Sequence, residues 1–566
     1  MPRLRLSSAL LLLLPLGAQT GIVTTIAGTG TRGFSGDGGP AKSAAIALAN
    51  LQNQCDPSFF EQTSHIAVDA KGNVYFADSN NQRIRRIDTA GTITTIAGDG
   101  AAPAANCGSF PFGSAHLFNP ADVLPMANGS VLIADQQNNR ILSGSTTIVG
   151  NGQHNLFAPG NPATSSPMDW PVALAVDSAG LVYFAELHGN RIGRVNANGT
   201  IGLVAGTGFP GTATLTKPAG IAIDSAGNVL IADTGNHRIR KAANGVMTTI
   251  AGGTQGFCGD GGPAVNACFD TPMDVKVDGR GNIYIADTGN HRIRRIDTAG
   301  NITTVAGTGA AGRGADNIAA TASALSSPCA IALDANGDLY IVDWQNYLIR
   351  KVSFPSIPAG GIVDGASFSA PPAPGGIFTI FGANFAAATE AFSTVPLPMA
   401  LAGVSVEVNG KAVPLYLVSP GQINAQLPFD VAPGQASAVI VTPGGRAPAV
   451  TFTVAAAAPA IFVATFVAIG TADAVVAYVT GLGAVSPAVP TGSSAPLDVL
   501  SFAQATVTAT LGGVAAPVQF AGLAPGFVGL GQVNVIIPNE APKGDSVPLV
   551  LEINGQKSKS APVAIR

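Results

Sequence analysis

The chain has 566 residues, of which 11% are charged, against about 25% in ordinary soluble domains. Its formal net charge is −4, with no basic cluster and no acidic tail, so the electrostatic footprint of a nucleic-acid binder is absent. Glycine, at 70 residues, is roughly twice its usual share, as a turn-dense β protein requires.

The chain opens MPRLRLSSALLLLLPLGAQT. Arg3 and Arg5 precede an apolar stretch over 9–16, with small residues before a cut near Ala18. This predicts a secretory signal over 1–18, too short to span a bilayer as a stable helix, with an N-terminal anchor as the alternative. No other segment qualifies as an integral membrane span. The apolar stretch 455–469 contains Pro459 and reads as strand–turn–strand. The expected location is outside the cytoplasm: periplasmic, cell-surface or extracellular.

Between 65 and 352 one phrase recurs six times, clearest as PMDVKVDGRGNIYIADTGNHRIRRIDTAGNITTVAGTG over 272–309. Its acidic residue returns at Asp78, Asp135, Glu186, Asp233, Asp287 and Asp343, at intervals of 47 to 57 residues. Propeller blades usually repeat every ~40–50 residues, and the excess lies in the loop before the next proline. Within the clearest copy, β-rich runs at 274–277, 282–286, 291–296 and 302–306 alternate with Gly/Asn/Asp turns. That pattern is an antiparallel four-stranded meander. Such sheets bury their faces only by stacking around an axis. The sixth copy ends at Lys351-Val352 without its last strand, while the chain carries an orphan IVTTIAGTG from Ile22. The strand at 21–28 is therefore expected to complete the last blade and remove two open edges. Residues 19–354 read as a closed six-bladed β-propeller.

After a linker at 353–363, residues 360–566 are rich in Ala, Val, Gly and Pro and carry an internal duplication. Segment 403–441 aligns with 506–551, sharing a hairpin, a Pro-Gly turn, and the steps Gly421–Asn424 and Gly531–Asn534. Two all-β units of about 100 residues predict two Ig-like β-sandwiches, 355–456 and 457–566.

Two resemblances follow from these motifs. The phrase ADTGNHRIRRID (286–297) resembles NHL-repeat propellers, over roughly 21–352, with Glu186 and Leu348 as departures. FTIFGANF (378–385), VSPGQINAQLPF (418–429), VTGLGAVSPAV (479–489) and LAPGFVGLGQVNVIIP (523–538) resemble the C-terminal domain common on exported proteins of soil Acidobacteria such as Solibacter. The first implies an all-β propeller; the second implies no established activity.

The Asp–Arg signature (Asp78/Arg83, Asp135/Arg140, Asp233/Arg238, Asp287/Arg292) recurs in nearly every blade, so it reads as structural, as do His237 and His291 in the same turn. Two residues after each blade-opening position stand His65, Asp122, Ala173, Gly220, Asp274 and Ala330. His65, Asp122 and Asp274 are candidates for a polar or cation site in the channel, where a weakly held calcium is the alternative to solvent. NHL propellers include a peptide-amidating lyase with metals in the channel, but its several innermost histidines are missing here, and catalytic zinc needs three convergent ligands. No catalytic residue, catalytic metal or cofactor is assigned. The near-copies FSGDGGPA (34–41) and FCGDGGPA (257–264) offer Asp37 and Asp260 as loop-recognition candidates, with tight structural turns as the competing reading. Cys258–Cys268 and Cys55–Cys107 are candidate disulfides in an exported chain, while Cys329 reads as a small buried side chain.

Long loops on a rigid scaffold commonly carry recognition. The expected function is therefore an exported, non-enzymatic binding or adhesion protein that engages a protein or glycan. Alternatives are a propeller-type hydrolase or lyase with a channel metal, and a structural cell-surface protein.

Overall fold

A computed structural model describes residues 21–48, 64–101, 116–211, 213–386, 388–442, 445–447, 449–469 and 472–566. The chain divides into two compact units, Met1–Ser353 and Phe354–Arg566. Among the described residues the structure is all β apart from short 3-10 turns, and no helix is long and apolar enough to cross a membrane. The expected signal segment and the Cys55–Cys107 pair lie outside the described residues.

The repeat forms hairpins because its turn residues satisfy the backbone locally. In the fifth copy the strands are Pro272–Val277, Ile283–Asp287, Arg292–Ile296 and Ile302–Ala306. Asp278 Oδ1 accepts the N–H groups of Arg280 (2.9 Å) and Asn282 (2.8 Å), closing the first turn. Asp69, Asp177, Asp224 and Asp334 do the same in four other copies. The second turn is a 3-10 helix, Thr288–Asn290, that ends on His291 in the left-handed region, φ 54°. The third strand therefore starts at Arg292, one residue later than the pattern implies. Gln82, Asn139, His237 and Tyr347 hold the same conformation in their copies.

Among the described residues, the first unit shows six such sheets in chain order. Their leading strands begin at Ile66, Pro120, Pro171, Pro218, Pro272 and Pro328; each touches the next, and the sixth returns to the first. In the sixth sheet Ile22–Ala27 pairs antiparallel with Leu348–Ser353, Val23 opposite Val352 and Thr24 opposite Lys351. The inner strands are buried on both faces, alternate residues facing opposite neighbouring sheets. Leu230, Ile239, Phe269, Val275 and Ile285 form one such apolar layer, and Leu132, Phe157, Met168 and Phe184 another.

Four of the loops that lead into a sheet also cover its outer edge. Gly38 and Ala41 donate to Ile93 O and Gly91 O, both at 2.8 Å; segments 160–163, 261–264 and 317–320 repeat this against the third, fifth and sixth sheets. In these four copies the excess length thus pairs with an outer edge and protects it, as a short strand at Ile318–Ala319 and as single bridges elsewhere. Among the described residues, Val246–Gly252 of the fourth sheet has no backbone partner on its outer side.

Among the described residues, the second unit shows two pairs of sheets, each pair around its own core. Val406, Ile423, Phe378 and Ile440 meet in one core, and Val475, Val533, Leu511 and Leu551 in the other. In the equivalent strands Gln422–Gln426 and Gly531–Ile536, the duplicated step makes the same bond: Gln422 Nε2–H to Asn424 Oδ1 and Gln532 Nε2–H to Asn534 Oδ1, each 2.8 Å. The first core ends with Val450–Val454 and the second begins with Ala460–Ile469. That ten-residue strand corrects the strand–turn–strand expectation for 455–469. Pro459 falls just before it, where its missing N–H costs nothing.

Candidate functional site

The repeated carboxylates are fully buried, and each is a hub. Asp287 Oδ1 accepts the N–H of Asp270 (2.9 Å) and of the Asn290 amide (2.9 Å), and Arg294 Nη1 reaches its Oδ2 at 3.1 Å. Burial outweighs these partners and pushes the Asp287 and Asp343 carboxyls up to about 6. The arginine partners correct two of the expected pairs. Asp78 and Asp287 pair with Arg85 and Arg294, not with Arg83 and Arg292. Arg140, Arg191 and Arg238 do take the nearer position. The two positions are two residues apart and so share one side of a strand. This explains the Leu348 departure, because Arg350 serves Asp343 from the second position at 3.5 Å.

The left-handed turn residue of one sheet clasps the next. Asn119 N–H donates to Gln82 Oε1 (2.6 Å), Lys217 N–H to Asn190 Oδ1 (2.9 Å), Thr271 N–H to His237 Nδ1 (3.1 Å), and Ser327 N–H to His291 Nδ1 (3.0 Å). Both histidines therefore act as acceptors in the frame, with the ring proton on Nε2.

At the centre of the ring, His65, Asp122 and Asp274 converge and are buried, which corrects the expectation of a solvated channel mouth. His65 Nε2–H donates to Ala219 O of the fourth sheet at 3.1 Å, and its Nδ1 lies 3.7 Å from Asp274 Oδ2. Asp122 accepts Leu174 N–H (2.7 Å) and Asp274 accepts Ile331 N–H (3.0 Å), so each carboxylate bolts its sheet to the following one. Lys276, absent from the sequence reading, sets its Nζ 2.7 Å from Asp274 Oδ1. Burial raises the Asp122 carboxyl, opposed by the charges of His65 and Lys276. The Lys276 ammonium occupies the position a bound cation would take against Asp274. Next to this cluster Cys329 is buried, and desolvation pushes its thiol up to about 12.

The loop candidates are also tied inward. Asp37 Oδ1 is 2.9 Å from Arg85 Nη2, and Asp260 Oδ1 is 2.8 Å from Arg294 Nη2. Thr95 and Thr304 hydroxyls donate to the other carboxylate oxygens. These aspartates fasten the loop to its sheet and neutralise a buried arginine. Cys258 and Cys268 are disulfide-bonded, with Cα atoms 4.8 Å apart. The freed arginines mark what the loops leave outside: Arg83 stacks on Phe34 and Arg292 on Phe257, 3.8 and 3.9 Å from the ring centroids. Both rings stay 43% exposed, and Phe209 in a third loop is 74% exposed.

One further cluster escaped the sequence reading. His154, Asp169 and His188 each bring a ligand atom within 4.8 Å of the others, beside the third sheet. His154 Nε2 is 2.5 Å from Asp169 Oδ1, and Trp170 stacks on His188 with ring centroids 4.1 Å apart.

Two family profiles match the first unit: "NHL repeat" over 215–242 and "Teneurin NHL domain" over 36–209 and 252–312. The first unit is an NHL-repeat propeller. Human Teneurin-4 is 30% identical over 281 residues, 46% of this chain, and mouse Teneurin-1 is 29% identical over 294 residues, 48% of it. The chain spans less than a tenth of the length of either, 8% and 9%. Among solved structures, an auxiliary nutrient binding protein from Bacteroides ovatus is similar with a TM-score of 0.41 and 18% identity, covering 59% of this chain and 76% of that one.

Proposed function

We propose that the chain is an exported, non-enzymatic binding or adhesion protein whose propeller loops recognise a protein or glycan. The observation that carries this reading is the repeated Phe–Arg stack at Phe34/Arg83 and Phe257/Arg292. The two stacks occupy equivalent loops of the first and fifth sheets, with the sixth between them, and present half-exposed rings on fixed guanidinium groups. Aromatic and arginine side chains held rigid at a surface are the groups that dominate recognition energetics, and they lose little entropy on binding. Ion pairs of Asp37 and Asp260, edge pairing and the Cys258–Cys268 bond supply that rigidity.

The architecture we infer is a closed six-bladed propeller over 19–354, followed by Ig-like sandwiches at 355–456 and 457–566 of the type seen on Acidobacterial exported proteins. Pairing of Ile22–Ala27 with Leu348–Ser353 and the cyclic order of the leading strands support the first part. The duplicated Gln–Asn bond supports the second. Export is supported by the disulfide, which persists in oxidising compartments.

The test is binding of the purified chain to arrays of glycans and of surface proteins. Phe34→Ala/Phe257→Ala should lose the signal while His65→Ala keeps it. Retention in the double variant together with loss in His65→Ala would replace the loop surface by the ring centre.

A further inference from the structure

We propose that His154, Asp169 and His188 form a binding site for a single divalent transition-metal ion. Two imidazoles and one carboxylate are a ligand set suited to zinc and its neighbours, in contrast to the all-oxygen shells of calcium and magnesium. A zinc ion held at about 2.0–2.1 Å needs ligand atoms about 3–4 Å apart. The three ligand atoms already lie within 4.8 Å of one another, and a small rotation of the exposed His154 side chain, whose backbone is held against Met168, closes the remainder. Trp170 stacks at 17° on His188 and fixes that ring, as an orienting neighbour does in a metal site.

Comparison within the chain separates this cluster from the frame. Asp169 has a counterpart in Asp270 of the fifth sheet, where the equivalent positions carry Gln255 and Gly289, and Gln255 merely donates to Asp270 at 3.0 Å. The third sheet alone replaces these two with histidines and sets a tryptophan where the next copies have Lys217 and Thr271. A group in every repeat serves the scaffold, whereas two imidazoles converging on the carboxylate occur in one repeat only. Three protein ligands leave the remaining coordination positions to water or to a donor on a partner, such as a carboxylate.

The test is zinc titration of the chelator-stripped full chain by calorimetry, with cobalt absorption and quenching of Trp170 by copper as optical readouts. One ion per chain at low-micromolar affinity or tighter is expected. His154→Gln/His188→Gly rebuilds the residues of the fifth sheet, so it should still unfold cooperatively, with only the Trp170 stack lost, and lose binding by at least about tenfold. Absence of saturable binding, or binding unchanged in that double variant, would overturn the proposal. Loss of binding in His65→Ala instead would place the ion at the ring centre and overturn it equally.

Discussion

Removing residues 21–27 should cripple the first unit while leaving the second intact. The strand buries Val23 and Ala27, 1% and 0% exposed, and pairs five residues with Leu348–Ser353. Burial of a valine contributes about 1.5–3 kcal/mol and of a methyl group about 0.8 kcal/mol. Strand hydrogen bonds add about 1 kcal/mol each, net. The loss is then about 5–8 kcal/mol, comparable with the whole stability of about 5–15 kcal/mol that a native domain carries. It also bares Leu348–Ser353 and Ile318–Ala319 as open edges. Both tryptophans of the chain, Trp170 and Trp344, lie in the first unit, so fluorescence during urea denaturation reports that unit alone. Compared with a chain beginning at Gly21, the truncated chain should lose its cooperative transition or unfold at least about 1 M earlier. A peptide of residues 21–30 added in trans should restore part of the difference. An unchanged midpoint and slope would refute the reasoning.

Three further outcomes follow from the same geometry. Arg294→Met should destabilise the first unit by about 3–5 kcal/mol, because it strands the buried Asp287 carboxylate, whereas Arg292→Met should cost under about 1 kcal/mol in the same denaturation assay. Asp343 is buried with its carboxyl raised to about 6 from 3.8, so its contribution is full below about pH 4 and is lost as pH rises through 6. The stability of the native chain relative to Asp343→Asn should thus fall by about 3 kcal/mol between pH 4 and pH 7.5; a gap that widens toward neutral pH would show that Arg350 dominates instead. Cys258→Ser/Cys268→Ser closes no loop in the unfolded chain and should lower stability by about 3 kcal/mol, seen also on reduction of the native protein.

Hairpin positions were legible in the sequence because in five of the six copies the first turn carries its own chemistry: an Asp that accepts two N–H groups, then a glycine at positive φ such as Gly281, φ 91°. The pairing of Ile22–Ala27 with Leu348–Ser353 was legible for a similar reason, since a missing strand and an orphan one share a pattern. Arginine assignments failed in the first and fifth copies because two positions on one side of a strand look alike until the loop that supplies Asp37 or Asp260 is in place. The equivalent positions of His65, Asp122 and Asp274 follow from register, yet their burial depends on the radius of the ring, which no local pattern encodes. Lys276 could have been found two residues beyond Asp274 by strand period. His154 and His188 lie outside the repeated pattern and carry no motif spacing of their own. Their signal was the reverse of the one that locates a frame, namely departure from the consensus at two positions that the fold brings together.

The proposed function places recognition in the inter-sheet loops and not at the centre of the ring. Hydrogen exchange of the full chain, with and without the ligand captured on the arrays, tests it most directly. Protection that rises over 29–48 and 253–271, with the strand starts around His65, Asp122 and Asp274 unchanged, is the predicted result. Protection confined to those strand starts, with the two loops exchanging as before, would contradict it.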